Sequence, residues 1–122
     1  MKLYHASLHL DVLKKYHELF GEKSNVLLSL ADESKDWLAF LIDYRHMIES
    51  LVADSGAYSV ANGTSNLTLA QVISHLKRWG HYYDLYFNFD TDFSEGGFDN
   101  NIAHQIKMER AGLKPVPVIH NF

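Results

Sequence analysis

The stretch LVADSGAYS at residues 51–59 decides the fold that we predict for this chain. Its short apolar run ends at Asp54 and continues into a hydroxyl and a glycine, the pattern of a buried strand that enters a tight turn. The stretch LYFNFD at residues 85–90 repeats this form and ends at Asp90. Because α/β proteins build their sites at the carboxyl ends of strands, the sequence predicts a scaffold that brings these two ends together.

Further strands and helices are predicted on both sides of these two stretches. The other strands are expected at residues 2–7, 25–30 and 116–120. Helices are expected at residues 11–20, at 34–48 with Ser34 as cap, at 68–79 behind a capping box, and from Asp99 or Asn100 to Ala111. The apolar positions of the last helix are Ile102, Ile106 and Met108.

The alternation of strands and helices predicts an α/β fold whose parallel strands are joined by right-handed crossovers. An open doubly wound sheet and a (β/α) barrel both fit, and the barrel needs eight strands to close. We predict one domain over residues 1–122, the N-terminal part of a TIM-type (β/α)8 barrel with about five strands and four helices. Because such a sheet has open edges, a homo-oligomer or a missing C-terminal half is expected to cover them.

Composition excludes several classes of function. The formal net charge of -4 provides no overall basic field for nucleic acid. The chain has no cysteine, which excludes disulfides, thiol catalysis and cysteine-ligated zinc. Because no signal peptide or membrane-length apolar run is present, we expect a cytoplasmic protein without a membrane partner.

Two local basic clusters lie at predicted helix ends. They comprise Lys77, Arg78 and His81 in one case and Lys107, Arg110 and Lys114 in the other. Pairing of cations with the helix dipole is the simpler explanation, and contact with a phosphate group is the alternative.

The residues that can perform chemistry lie at the two strand ends. Asn88 and Asp90 share one face of their strand, and neighbouring parallel strands lie about 4.8 Å apart. Asp54 and Asp90 can therefore reach one ligand, and paired carboxylates suit acid–base chemistry or cation binding. The alternative is that each aspartate caps its own turn. Gly56 permits a turn or the close approach of a ligand, and Tyr58 stacks on a planar ligand or packs.

The chain's eight histidines raise a metal hypothesis. His5 and His120 fall near strand ends, and with Asp54, Asp90 or Asp92 they can imitate the site of a metal-dependent barrel hydrolase. No H-x-H or H-E-x-x-H motif is present, so we predict no metal ligand and keep the hydrolase as an alternative.

The turn DSGAYS at residues 54–59 resembles that of the tRNA-guanine transglycosylase (queuine tRNA-ribosyltransferase) superfamily, most closely its shorter, phage-type members. Two further segments share the likeness, namely the strand that ends at Asp90 and MERAGLKPVPVIH at residues 108–120. Together the three segments span residues 51–120 and are similar to the base-binding part of those barrels.

The resemblance implies a nucleobase exchange on guanine or a 7-deazaguanine in tRNA or DNA, without a cofactor. Asp54 is then the acid–base carboxylate, Ser55 and Gly56 lie against the purine, Tyr58 stacks on it, and Asp90 binds its polar edge. Asn88 and His120 complete the expected substrate-binding set. Ala57, Tyr58 and Ser59 depart from the family's glycine, phenylalanine and glutamine.

The family's nucleophilic aspartate lies on a later strand that these residues do not include. The resemblance therefore implies a glycosyltransferase only when a second half completes the chain. A half-barrel that binds or oligomerises without catalysis is the other alternative.

Overall fold

The computed structural model describes residues 3–6, 8–32 and 36–118. Four parallel strands form one sheet in the order β1-β2-β3-β4, with β1 at His5–Ala6, β2 at Ser24–Ser29, β3 at Ile48–Asp54 and β4 at Leu85–Tyr86. In a doubly wound sheet the strand order reverses at a switch point, whereas here each strand pairs with the next one along the chain. The predicted α/β fold with parallel strands is confirmed, and the sequential order is consistent with part of a (β/α) barrel.

Two helices form as their local signals predict. Helix α1 spans Leu10–Phe20 and ends at Gly21, whose φ of 64° lets its N–H reach the carbonyl of His17. Helix α3 spans Leu69–Trp79 and begins with a complete capping box, in which the side chains of Thr68 and Gln71 each accept a hydrogen bond from the other's backbone N–H.

The helix predicted between β2 and β3 is wrong in form. The chain makes a π-helical turn at Ala39–Asp43 and a 3-10 turn at Arg45–Met47, and Ile48 begins β3 instead of ending a helix. Ile48 fits the helical period of the residues before it, but it pairs with Ser24 of β2. Hydrogen bonding between the two strands therefore places it in the sheet. The predicted cap Ser34 lies outside the described residues.

A short helix that was not predicted follows the DSGAYS turn, and the last helix starts earlier than expected. Helix α2 spans Ala57–Ala61. Helix α4 spans Gly97–Arg110 and has no side-chain cap, so the caps predicted at Asp99 or Asn100 are wrong. Gly97 lies so close to the backbone carbonyl of Asp92 that a Cβ would clash, which allows the helix to begin against that loop.

Within the described part of the chain, the fifth predicted strand forms only an isolated β-bridge. Phe87 bridges Val116 in parallel, with hydrogen bonds from Val116 N to Tyr86 O at 2.8 Å and from Asn88 N to Val116 O at 3.0 Å. Residues 88–90 were predicted as strand, but they follow the paired residues and are not part of a strand in the structure. Residues 119–122 lie outside the described residues.

The core lies on the helix-covered side of the sheet. In β2 the side chains of Ser24, Val26 and Leu28 are buried, while the alternate positions are half-buried on the other face. Large apolar side chains are exposed at both ends of the chain. Those before and within α1 are Leu3, Val12, Leu19 and Phe20, and those within and after α4 are Phe98, Ile102, Ile106 and Val118. No helix in the described ranges is long and apolar enough to cross a membrane.

Candidate functional site

A cavity of about 300 Å³ lies at the carboxyl ends of the strands. Four of the predicted site residues line it, namely Asp54, Ser55, Asn88 and Asp90. The apolar part of the lining comes from Leu27, Ala57, Phe87, Phe93 and Val118. The structure therefore brings the two strand ends to one concave site.

The turn after β3 is held by hydrogen bonds to the side chain and the backbone carbonyl of Asp54. The N–H of Gly56 donates to Asp54 Oδ1 at 3.3 Å, and the N–H of Leu30 donates to the backbone carbonyl of Asp54 at 2.8 Å. Gly56 has a φ of 79°, and a Cβ there would lie 2.6 Å from the Cβ of Ala31. Asp54 thus stabilises its own turn as well as lining the cavity, and Gly56 is required by the turn itself.

Asn88 and Asp90 form a polar floor. The side-chain Nδ2 of Asn88 donates to Asp90 Oδ1 and, at 2.9 Å, to the backbone carbonyl of Asn101. Because both neighbours are acceptors, the orientation of the amide is settled, and its oxygen is directed away from them. Asn88 Oδ1 is buried and has no hydrogen-bond partner among the described residues. The floor consequently contains acceptor oxygens, and a ligand that donates would match them.

Helix α4 contacts this floor through the backbone carbonyl of Asn101, and it carries a buried polar stripe that was not predicted. Asn101 Nδ2 donates to the carbonyl of Asp92 at 2.9 Å, and Gln105 Nε2 donates to the carbonyl of Pro115 at 3.0 Å. Asn101 and Gln105 are buried, whereas Ile102 and Ile106 are largely exposed. The signal that points to them is the spacing of two amides four residues apart, with Met108 three residues further on.

Two aromatic rings stand at the mouth of the cavity. Tyr58 is 71% exposed, and its ring lies edge-on to that of Phe93 with centroids 6.0 Å apart. Phe93 lines the cavity and was not predicted. Its loop is held by Asp92, whose pKa is lowered by hydrogen bonds from the Ser94 hydroxyl and the Asn100 amide. The mouth is therefore apolar and aromatic, and its base is polar.

The histidines do not gather at this site in the described part of the chain. His5 is exposed in β1, and His120 lies outside the described residues. His104 donates through Nδ1 to the backbone carbonyl of Phe89 at 2.6 Å, a structural role. The described ranges contain no group of three or more histidine, cysteine, aspartate or glutamate residues placed to hold a metal ion.

The fold and cavity define an α/β protein of partial barrel type with an acceptor-lined pocket at its strand ends. No family model, curated protein or solved structure matches the chain.

Proposed function

We propose that the cavity binds a purine of the guanine type, and that the chain is the base-binding part of a tRNA-guanine transglycosylase-like enzyme. The observation that carries the proposal is that Asn88 and Asp90, whose side-chain oxygens are acceptors, both line the cavity. Guanine and 7-deazaguanine present a ring N–H beside an amino group, which are adjacent donors. Adenine presents a ring acceptor at that position and leaves a buried acceptor unmatched.

The size and walls of the cavity support a single base as its ligand. A volume of about 300 Å³ is at the lower end of ligand pockets. Apolar walls from Leu27, Phe87 and Val118 suit the faces of a planar ring. Tyr58 and Phe93 offer aromatic faces at the mouth, where the base enters or remains attached to its ribose.

The proposed chemistry divides between this chain and a second half. Asp54 lines the same cavity as Asp90, so it is positioned to exchange a proton with the bound base while Asp90 holds the base edge. In the covalent step of the family that the turn resembles, an aspartate on a later barrel strand attacks the ribose anomeric carbon, the glycosidic C–N bond breaks, and the base leaves as guanine. The chain by itself is proposed to bind the base, and the completed barrel to exchange it in tRNA or DNA in the cytoplasm.

Equilibrium binding of labelled guanine to the whole chain tests the proposal. We expect saturable binding, competition by 7-deazaguanine, weaker competition by hypoxanthine, which lacks the amino group, and none by adenine. Replacing Asp90 by asparagine (Asp90→Asn) removes one charged acceptor and is expected to weaken binding by about tenfold to a hundredfold. Asp43→Asn, which alters an exposed aspartate outside the cavity, is the matched control. Equal affinity for guanine and adenine, or an unchanged affinity in Asp90→Asn, overturns it.

The exposed apolar side chains around α1 and α4 favour a second candidate function, that of a half-barrel that assembles into an oligomer without catalysis. This alternative predicts a stable oligomer in analytical ultracentrifugation and no affinity for purines. A monomer that binds guanine tightly excludes it.

A further inference from the structure

A cavity of about 600 Å³ lies at the opposite end of β4 from the candidate base site. Its walls come from the C-terminal end of α3, from the first residues of β4, and from the segment that follows α4. In a β/α arrangement this is the end of the sheet where strands begin, far from the residues proposed to bind the base.

Basic residues from both clusters of the sequence line this cavity, namely Lys77 and His81 of the first and Lys114 of the second. Lys77 comes from the last turn of α3, His81 from the 3-10 turn after it, and Lys114 from the segment after α4. The acidic side chain of the lining is Asp84, which already accepts from Arg45 at 3.0 Å and from the N–H of Leu51 at 2.7 Å. Its charge is balanced by Arg45, so it does not cancel the charges of the lysines.

Helix dipoles alone do not account for this arrangement. The ends of α3 and α4 each contribute about half a negative charge, which together offset about one of the two lysines. Dipole pairing also gives no reason for Lys77 and Lys114, which come from separate segments, to line one cavity. The cavity therefore keeps a net positive charge within a chain whose formal net charge is -4.

The cavity also holds a neutral donor. The backbone N–H of Lys114 donates to the hydroxyl oxygen of Tyr86 at 2.8 Å. A phenol that accepts in this way retains its own hydrogen for a second partner, and Tyr86 lines the cavity. Two ammonium groups, a phenol and an imidazole thus form a donor-rich set, the opposite of the floor made by Asn88 and Asp90.

We propose that this cavity is a binding site for a phosphate group, separate from the base site and independent of the function proposed for it. Lysine ammonium groups bind phosphate as point charges, and the Tyr86 hydroxyl supplies a directed hydrogen bond. A phosphate group is carried by small ligands such as pyrophosphate and nucleotides, and by the backbone of a nucleic acid.

The test is a titration of the isotopically labelled whole chain with inorganic pyrophosphate, followed by amide chemical shifts. Saturable shifts are expected at residues 77–81 and 112–114. Lys77→Gln and Lys114→Gln are each expected to weaken binding by about fivefold to tenfold, because each removes one charge-assisted contact. Lys15→Gln and Lys23→Gln carry the same charge change on exposed residues that do not line the cavity, and are expected to change affinity less than about twofold.

A parallel titration with a diuridine monophosphate dinucleotide identifies the source of the phosphate. Tighter binding of pyrophosphate assigns the site to free phosphates, and tighter binding of the dinucleotide assigns it to a nucleic-acid backbone. Absence of saturation with both ligands overturns the proposal, as does an equal loss of affinity in the cavity variants and the controls. Because Lys77 and Lys114 are exposed, thermal unfolding of their variants is expected to match the wild type.

Discussion

The side chain of Asn88 donates a hydrogen bond to the carboxylate of Asp90, two residues further along the chain. Because the same amide also donates to the carbonyl of Asn101, both of its hydrogens are used and its oxygen is left to accept. Asn88 thus decides the polarity of the cavity floor and links the strand end to α4.

Asn88→Leu tests this link. The substitution keeps the size of the side chain but removes the amide that donates to the Asp90 carboxylate and to the Asn101 carbonyl. We expect the free energy of unfolding to fall by about 1 to 3 kcal/mol, and guanine binding to be lost. Urea unfolding measures the first effect. Asn66→Leu, at an exposed loop position, is the control and is expected to stay within about 0.5 kcal/mol of the wild type. Equal stability of the two variants contradicts the structural role of Asn88.

Gly56 and Gly63 form a matched pair for testing the turn after β3. Both have positive φ, at 79° and 81°, but a Cβ at Gly56 meets Ala31 while a Cβ at Gly63 meets nothing within 4 Å. Gly63→Ala is expected to cost about 1 to 2 kcal/mol for the left-handed backbone alone. Gly56→Ala is expected to cost about 1 to 3 kcal/mol more, because the clash displaces neighbouring backbone. Chemical denaturation of both variants measures the difference, and equal losses show that Ala31 does not restrict the turn.

The capping box of α3 makes a third prediction. Thr68→Ala removes the side-chain oxygen that accepts from the N–H of Gln71 at 3.2 Å. We expect a loss of about 1 kcal/mol in the free energy of unfolding, and Thr68→Ser, which keeps the hydroxyl, to recover most of it. Thermal or urea unfolding checks both variants. A serine variant as unstable as the alanine variant indicates that the hydroxyl does not cap the helix.

His75 makes the stability of the fold depend on pH. Burial lowers its pKa below the ordinary value of 6.5, its Nε2 lies 2.8 Å from the Tyr83 hydroxyl, and its ring packs edge-on against Trp37. Burial also raises the pKa of Tyr83, so the tyrosine stays neutral between pH 5 and pH 8. The folded chain then binds fewer protons than the unfolded chain, and the free energy of unfolding falls as the pH drops through 6.5 and below.

Thermal unfolding between pH 8 and pH 5 measures this dependence. His75→Gln is expected to flatten the fall in midpoint temperature near pH 6, while His9→Gln, at an exposed histidine, is expected to leave it intact. An unchanged slope in His75→Gln assigns the dependence to other groups.

The features that were predicted correctly depend on residues close together in the chain. The stop of α1 at Gly21 and the capping box at Thr68 involve contacts within a few residues, so the local sequence carries their whole signal. The polar ends of β3 and of the segment to Asp90 were visible for the same reason, since each follows its own apolar run. Their meeting in one cavity was expected from parallel strands and is present in the structure.

The incorrect predictions share the opposite cause. Ile48 fits the helical period of the residues before it, but pairing with Ser24 of β2 places it in a strand. On α4 the periodicity favours Ile102, Ile106 and Met108. Met108 is buried, but the rest of the buried face carries Asn101 and Gln105 instead of Ile102 and Ile106. Asn101 and Gln105 are buried because they donate to the backbone carbonyls of Asp92 and Pro115. The pattern of apolar residues does not record this requirement for hydrogen-bond partners.

The sequence by itself determined the α/β alternation, the caps of α1 and α3, and the residues at the two strand ends, because these follow from periodicity and contacts within one turn. Only the tertiary structure decided the sequential strand order, the hydrogen bond from Asn88 to the Asn101 carbonyl of α4, and the placement of Lys77 and Lys114 at one cavity at the other end of the sheet. These relationships join residues far apart in the chain. They are set by strand pairing and by the hydrogen-bond requirements of buried polar groups, which no local pattern records.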